Sequence, residues 1–168
     1  MVAEGNDALL EEFFDQGAIS PEHLAEGLRQ AVLERKLFPV LCASALHNVG
    51  SDLVLNFLLD YLPAPVERGP VTAKAGDQET TRAVSDAGPA SAFVFKTVAD
   101  PFAGRLTYFK VFSGVVKNDA NLVNARSGGN ERLAHVGCLI GKTIQPVTEL
   151  RAGDIGAVAK LKETLTGD

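Results

Sequence analysis

The sequence predicts a chain in two parts. A mixed α/β unit, with helices around one short strand, comes first, and a small all-β antiparallel barrel follows. Three observations carry this. Before residue 62 the apolar residues recur at helical spacing. After residue 89 they gather into short β-branched and aromatic runs with partial alternation. Between these, residues 66–88, "VERGPVTAKAGDQETTRAVSDAG", combine Gly, Pro, Thr and charge without a periodic apolar set. Such a stretch buries too little surface to order itself and reads as a linker or long mobile loop. The expected units are therefore residues 1–65, 66–88 and 89–168.

Taken in order, Leu9, Leu10, Phe13 and Phe14 define a first helix, with Gly17 as its C-terminal stop. Ser20-Pro21-Glu22 supplies an N-cap, a proline at the first helical position and an acid in the first turn. The second helix then shows one apolar face of Leu24, Leu28, Ala31 and Val32. Residues 37–43, "LFPVLCA", are continuously apolar, the pattern of a strand buried on both faces in a parallel sheet. A turn of small residues, "SALHNVG", leads to a third helix with Leu53, Val54, Phe57, Leu58, Tyr61 and Leu62 on a broad apolar face. Pro63-Ala64-Pro65 ends it. In the second part, "ASAFVFKTV", "RLTYFKVFSGVV", "ANLVNAR" and "IGAVAKLKE" read as strands. The turn chemistry of "ADPFAG", "KNDA", "RSGGN" and "RAGD" separates them, as in a small barrel.

Composition narrows the function. The 168 residues are 46% apolar and 22% charged with a net charge of -5, so any nucleic-acid contact must come from a local basic patch rather than a global field. No apolar run approaches the ~18 residues of a membrane span, and no signal peptide is present. Cys42 and Cys138 form no C-x-x-C and sit in apolar runs, where a thiol packs as a small hydrophobe; a reduced, cytoplasmic setting fits. Met1 stands almost directly before an amphipathic helix, which suggests a piece of a longer chain.

Few residues suggest chemistry. His23, expected in a helix's first turn, His47, in the small-residue turn, and His135, in a strand, do not cluster, so no metal site is expected. There is no G-x-S-x-G elbow and no acid/base pair, so no catalytic residue is assigned. "VGCLIGKTI" imitates a phosphate-binding loop, but Gly137 and Gly141 enclose one residue too few and the flanks read as strands. Two features remain. A strand–turn–helix with a small-residue turn is where open α/β sheets bind ligands; Ser44 and Ala45 would let a flat ring approach the backbone, although small residues also simply permit a close turn. Lys96, Arg105, Lys110 and Lys117 put cations around the start of the barrel, as a solvated face or a phosphate-contacting patch.

Taken together, "LLEEFFDQGAISPEHLAEGLRQAV", "LFPVLCASALHNVGSDLVLNFLLDYLPAP", "SAFVFKTVADPFAGRLTYFKVFSG" and "AGDIGAVAKLKETLTGD" resemble elongation factor G, the translocation GTPase of bacterial ribosomes. The resemblance covers nearly the whole chain. It implies the C-terminal strand and helices of a P-loop GTPase domain, including the end of its insertion, followed by a translation-factor β-barrel, domain II, ending one strand short. Ser44, Ala45 and Leu46 correspond to the motif whose backbone N–H groups meet the guanine carbonyl. Arg105, Lys110 and Lys117 become candidates for ribosomal RNA contact. The implied partners of the parent are the ribosome's small-subunit RNA and stalk region, and its implied cofactor is GTP or GDP with Mg²⁺.

The phosphate loop, both switches, the catalytic histidine and N-K-x-D of that family do not occur in this sequence. The chain alone is therefore expected to bind no nucleotide cofactor and to be inactive as a GTPase. Ala43, His47 and Val49 stand where the family pattern is closer to C-G-S-A with a lysine-rich turn, and "LIGKTIQPVTEL" replaces a more polar, basic segment. Both departures suggest a paralogue. A stand-alone barrel adaptor that binds a protein partner without nucleotide is the alternative. Finally, Leu37, Phe38, Val40, Leu41, Phe57 and Leu58 exceed what local helices can cover, so the first unit is expected to be the weaker one and to self-associate or expose an apolar patch.

Overall fold

The computed structural model describes residues 1–75, 78–101, 104–141 and 143–168. Gly76 and Asp77 of the expected linker, Phe102 and Ala103 of the "ADPFAG" turn, and Lys142 of "VGCLIGKTI" lie outside the described residues. The chain divides into two units, Met1–Ala64 and Pro65–Asp168.

In the first unit the local signals set the helices. Helix α1 (Asp7–Gln16) begins at Asn6, whose side chain accepts from the N–H groups of Ala8 and Leu9, and stops at Gly17 with φ 72°. Helix α2 (Pro21–Leu33) is capped by Ser20, whose hydroxyl accepts from His23 N–H. It ends with Arg35 at φ 60°, while the N–H groups of Lys36 and Leu37 both donate to the Ala31 carbonyl. Helix α3 (Ser51–Tyr61) starts after Gly50 at φ 75°. The α1–α2 crossing is close because Gly27 has no side chain: a Cβ there would strike Leu9 Cδ1. Glu12 ties the same pair, accepting from Ser20 N–H at 2.9 Å and meeting His23 Nδ1 at 2.7 Å. Among the described residues, Leu9 and Gly27 are the buried ones of the unit.

The strand expected at residues 37–43 is not formed. The segment has no ladder partner among the described residues, and Phe38 and Val40 are 78% and 90% exposed. The apolar pattern marks a stretch suited to a buried strand, but strand structure needs neighbours that supply hydrogen bonds on both sides.

In the second unit the expected linker carries an antiparallel hairpin, β1 (Val71–Ala75) and β2 (Gln78–Arg82), with Val71 opposite Arg82, Thr72 opposite Thr81 and Ala73 opposite Thr80. A backbone ladder and cross-strand threonines hold it, and neither leaves apolar periodicity in the sequence. The chain then docks: Ser85 O accepts from Gly114 N–H at 2.8 Å, and Asp86 accepts from Ala152 N–H and the Arg151 guanidinium.

The remaining elements are β3 (Ser91–Asp100), β4 (Gly104–Ser113), β5 (Val116–Lys117), β6 (Ala120–Val123), β7 (Asn130–Leu133), β8 (Gly137–Ile140), β9 (Thr143–Pro146), β10 (Glu149–Leu150) and β11 (Ile155–Ala159). They form antiparallel sheets: five strands in the order β3-β4-β11-β8-β9, and the pairs β5–β10 and β6–β7. Backbone bonds from Asn118 to Thr148, Asp119 to Leu133, Val147 to Val136 and Val111 to Asp154 extend the β5–β10, β6–β7, β8–β9 and β4–β11 pairings. Phe109, Val111, Val116, Leu133, Val136, Leu150, Val158 and Leu161 make one core inside them. Gly114 is required at the β4–β5 corner: its φ is 68° and a Cβ would lie 2.6 Å from Ala90 Cα and Gly88 O.

Two smaller expectations are corrected. His135 lies in the turn after β7 at φ 56°, not in a strand. Cys42 is exposed, whereas Cys138 is half-buried against the core.

The contrast between a cored barrel and a nearly coreless helical unit has a measurable consequence. Amide exchange in residues 37–62 of a monomeric sample is expected to be faster than in residues 92–116. Slower exchange in 37–62 would show that the helical unit has cover of its own.

Candidate functional site

The turn at residues 44–49 is closed locally. Ser44 N–H donates to Val49 O at 2.9 Å, and Val49 N–H returns the bond to Ser44 O at 3.0 Å. Asn48 N–H reaches Ala45 O, and Asn48 takes φ 50°. Gly50 follows at φ 75°, where a Cβ would come 3.4 Å from Cys42 O. Among the described residues, the N–H groups of Ala45, Leu46 and His47 have no acceptor, and the turn faces solvent, with Leu46 88% exposed. A short row of free donors beside methyl-sized walls suits an acceptor oxygen on a flat ring.

The structure sets Arg105 apart from the other predicted cations. The Arg105 guanidinium donates to the carbonyls of Leu161 and Lys162 at 2.6 and 2.7 Å, so it holds the chain after β11. Lys110 lies five residues further along β4, an odd separation that points it to the opposite face; its ammonium sits 5.9 Å from the Phe112 ring centre. Lys117 is exposed on β5, opposite Glu149. Lys96 stands on β3 across from Tyr108.

Sequence reading passed over the polar centre of this unit. Glu131 is buried in β7, and its carboxylate accepts from Lys162 N–H at 3.0 Å, Glu163 N–H at 2.7 Å, Thr164 N–H at 3.0 Å and Thr164 Oγ1 at 3.0 Å. Burial pushes its pKa up, but the backbone donors and the hydroxyl outweigh this and hold it below the ordinary carboxylate value. Asp168 continues the clamp with bonds from Arg126 Nε at 2.7 Å, Asn124 Nδ2 at 2.8 Å and Leu165 N–H at 2.8 Å. The Arg126 guanidinium first, then the amide donors, keep that carboxyl well below the usual range. A signal was available: Glu131 is two residues before Leu133, and strand alternation puts both on the inward face.

Among the described residues no group of three or more His, Cys, Asp or Glu is placed to hold a metal ion. No helix among them is long and apolar enough to cross a membrane.

Residues 89–168 match the family described as elongation factor G domain 2, and this part of the chain belongs to it. The chain is also similar to a protein of Thermus thermophilus known from a crystal structure, at 30% identity with a TM-score of 0.75. That likeness covers 99% of this chain and 22% of the Thermus chain. The chain is elongation factor G-like, with a β-barrel domain.

The clamp gives a pH dependence with a definite sign. Both carboxyls titrate lower in the folded chain than unfolded, so their stabilisation is complete above the unfolded values and is lost as pH falls through the folded ones. Stability from urea melts is expected to fall progressively as pH drops below about 5, and less steeply in Glu131→Gln. At neutral pH, Glu131→Ala leaves the N–H groups of Lys162, Glu163 and the buried Thr164 without their acceptor and is expected to cost about 3 kcal/mol. A neutral outcome would show that residues 162–164 find other partners.

Proposed function

We propose that this chain is part of an elongation factor G-like translational GTPase that acts on the ribosome in protein synthesis. The observation that carries the reading is the domain 2 match over residues 89–168, joined to a likeness running through the helical unit into the barrel of one longer protein. In this reading Ser44, Ala45 and Leu46 form the guanine-recognition turn, and the barrel is the ribosome-contacting part. GTP or GDP with Mg²⁺ is the cofactor of the longer protein; GTP would supply the phosphoanhydride that is hydrolysed, leaving GDP.

The residues present fit only one corner of that cofactor. The free N–H groups of the 44–49 turn can meet the guanine carbonyl, which orients the base and favours guanine over adenine, whose amino group at that place is a donor. The sequence contains neither a phosphate-binding loop nor N-K-x-D to hold the remainder. The chain's contribution is therefore selectivity and orientation, with little affinity and no chemistry. On the barrel, Arg105 already caps two carbonyls, so Lys110 and Lys117 are the cations better placed for RNA phosphates.

Calorimetric titration of the purified chain with GDP is expected to give binding weaker than micromolar, and GTP turnover no faster than buffer. Micromolar or tighter affinity would overturn the assignment of a single-corner site. In a full-length relative carrying this barrel, Lys117→Ala should leave folding intact, weaken ribosome binding, and reduce the slope of log affinity against log salt by about one. An unchanged salt slope would mark Lys117 as a solvated side chain. Arg105→Ala should instead lower the barrel's melting temperature, since two carbonyls lose their donor.

A further inference from the structure

The outward face of β3 and β4 alternates rings with cations. Along β4 the inward positions Thr107, Phe109 and Val111 are buried, so Tyr108, Lys110 and Phe112 point outward. On β3, Phe93 stands opposite Lys110. The register then slips between Val94 and Lys96, so that Phe95 and Lys96 together oppose Tyr108; a bulge of this kind re-aims a side chain. The rings form two pairs. Phe93 and Phe112 meet edge to face with centres 6.4 Å apart, and Phe95 lies against Tyr108 at 6.5 Å with the planes 29° apart. Phe93 and Phe95 are each 43% exposed.

The cations sit between and beside these pairs. Lys110 lies midway along β4 between Phe112 and Tyr108, its ammonium 5.9 Å from the Phe112 ring centre, and Lys96 adjoins the second pair. Neither lysine has a carboxylate partner among the described residues. The β11 residues opposite Lys110 and Tyr108 are Ile155 and Ala157, so no acid adjoins the face from that side. Four residues of strand, from Tyr108 to Phe112, span roughly 14 Å.

We propose that this face binds an unpaired stretch of RNA. The bases stack on the Phe93–Phe112 and Phe95–Tyr108 pairs, and the phosphates between them meet Lys110 and Lys96. Rings alone would suit an apolar protein partner. Rings interleaved with unpaired ammonium groups suit a chain that alternates flat bases with anionic phosphates. A duplex keeps its bases stacked inside and offers this face phosphate and sugar, so the rings favour single strands. The inference deepens the ribosomal reading and rests on it for RNA as the partner; it adds base stacking to the phosphate contacts of that reading.

The chain has no Trp and two Tyr, so in a Tyr61→Phe chain Tyr108 is the one tyrosine left to report. Titration at low salt with a ten-nucleotide oligouridylate is expected to quench its emission, and added salt should restore it. Phe93→Leu and Phe95→Leu should each weaken binding roughly 5- to 150-fold, the range for losing one stacked base, with the melting temperature little changed. Lys110→Gln should lower the slope of log affinity against log salt by about 0.7, the value per phosphate of a single strand. An RNA duplex of equal length should bind more weakly and leave the emission unquenched. A duplex bound as tightly as the single strand overturns the proposal, and so does affinity indifferent to both Phe variants. Binding to neither probe also overturns it and leaves the face to a protein partner. The ribosomal reading is tested separately by the Lys117 salt slope in the full-length relative, so either can fail alone.

Discussion

The barrel unit depends on one buried carboxylate. Glu131 occupies an inward position of β7 where alternation would call for an apolar residue, and burying a charge there is costly in isolation. What offsets the cost is geometry: three consecutive backbone N–H groups and a threonine hydroxyl converge on its two oxygens. Arg105 acts on the same segment from the opposite polarity, holding the carbonyls of Leu161 and Lys162. Anion to amides and cation to carbonyls together fix a non-repetitive stretch as firmly as a ladder would. That stretch delivers Leu161 to the core and brings Asp168 to Arg126 and Asn124. Remove the carboxylate, and one wall of the core loses its attachment along with the polar bonds.

The helical unit has no comparable centre. Asn6, Gly17, Ser20 and Gly50 shape its helices locally, but capping terminates helices and does not pack them. The Leu9–Gly27 crossing and the Glu12 tie give α1 and α2 one contact point. Leu53, Leu55 and Leu59 of α3 and Phe38 and Val40 before it remain in solvent. An apolar sequence supplies the demand for burial, and only neighbouring elements can meet it.

This divides what the sequence could reveal from what it could not. Helix starts and stops were legible because caps act within four residues. The barrel strands after residue 89 were legible because their apolar alternation reports burial directly. The β1–β2 hairpin was not, since Thr72, Thr80 and Thr81 favour strands without leaving an apolar pattern, and Gly and charge nearby suggested a loop. Arg105 was read as a surface cation because nothing in its spacing says that the chain after β11 brings two carbonyls beneath it. His135 was placed in a strand because a positive φ at a non-glycine residue has no composition signal. For residues 37–43 the apolar pattern predicts a buried strand and the structure forms none, because a ladder needs neighbours as well as apolar side chains.

The 44–49 turn stands between these cases. It adjoins the unpaired segment, yet its geometry does not depend on it: the Ser44–Val49 bridge and the positive φ of Asn48 and Gly50 close it from within. Local closure fixes the turn, and the N–H groups of Ala45, Leu46 and His47 are without an acceptor among the described residues, even where no sheet supports the approach to the turn. A preformed donor row loses little ordering entropy on meeting an acceptor, which favours discrimination between ligands. It also offers few bonds, and affinity grows with the number of contacts made at once. In the proposed reading the turn chooses a ring that other elements hold, and the same separation of local from distant requirements that divides the fold divides recognition from binding.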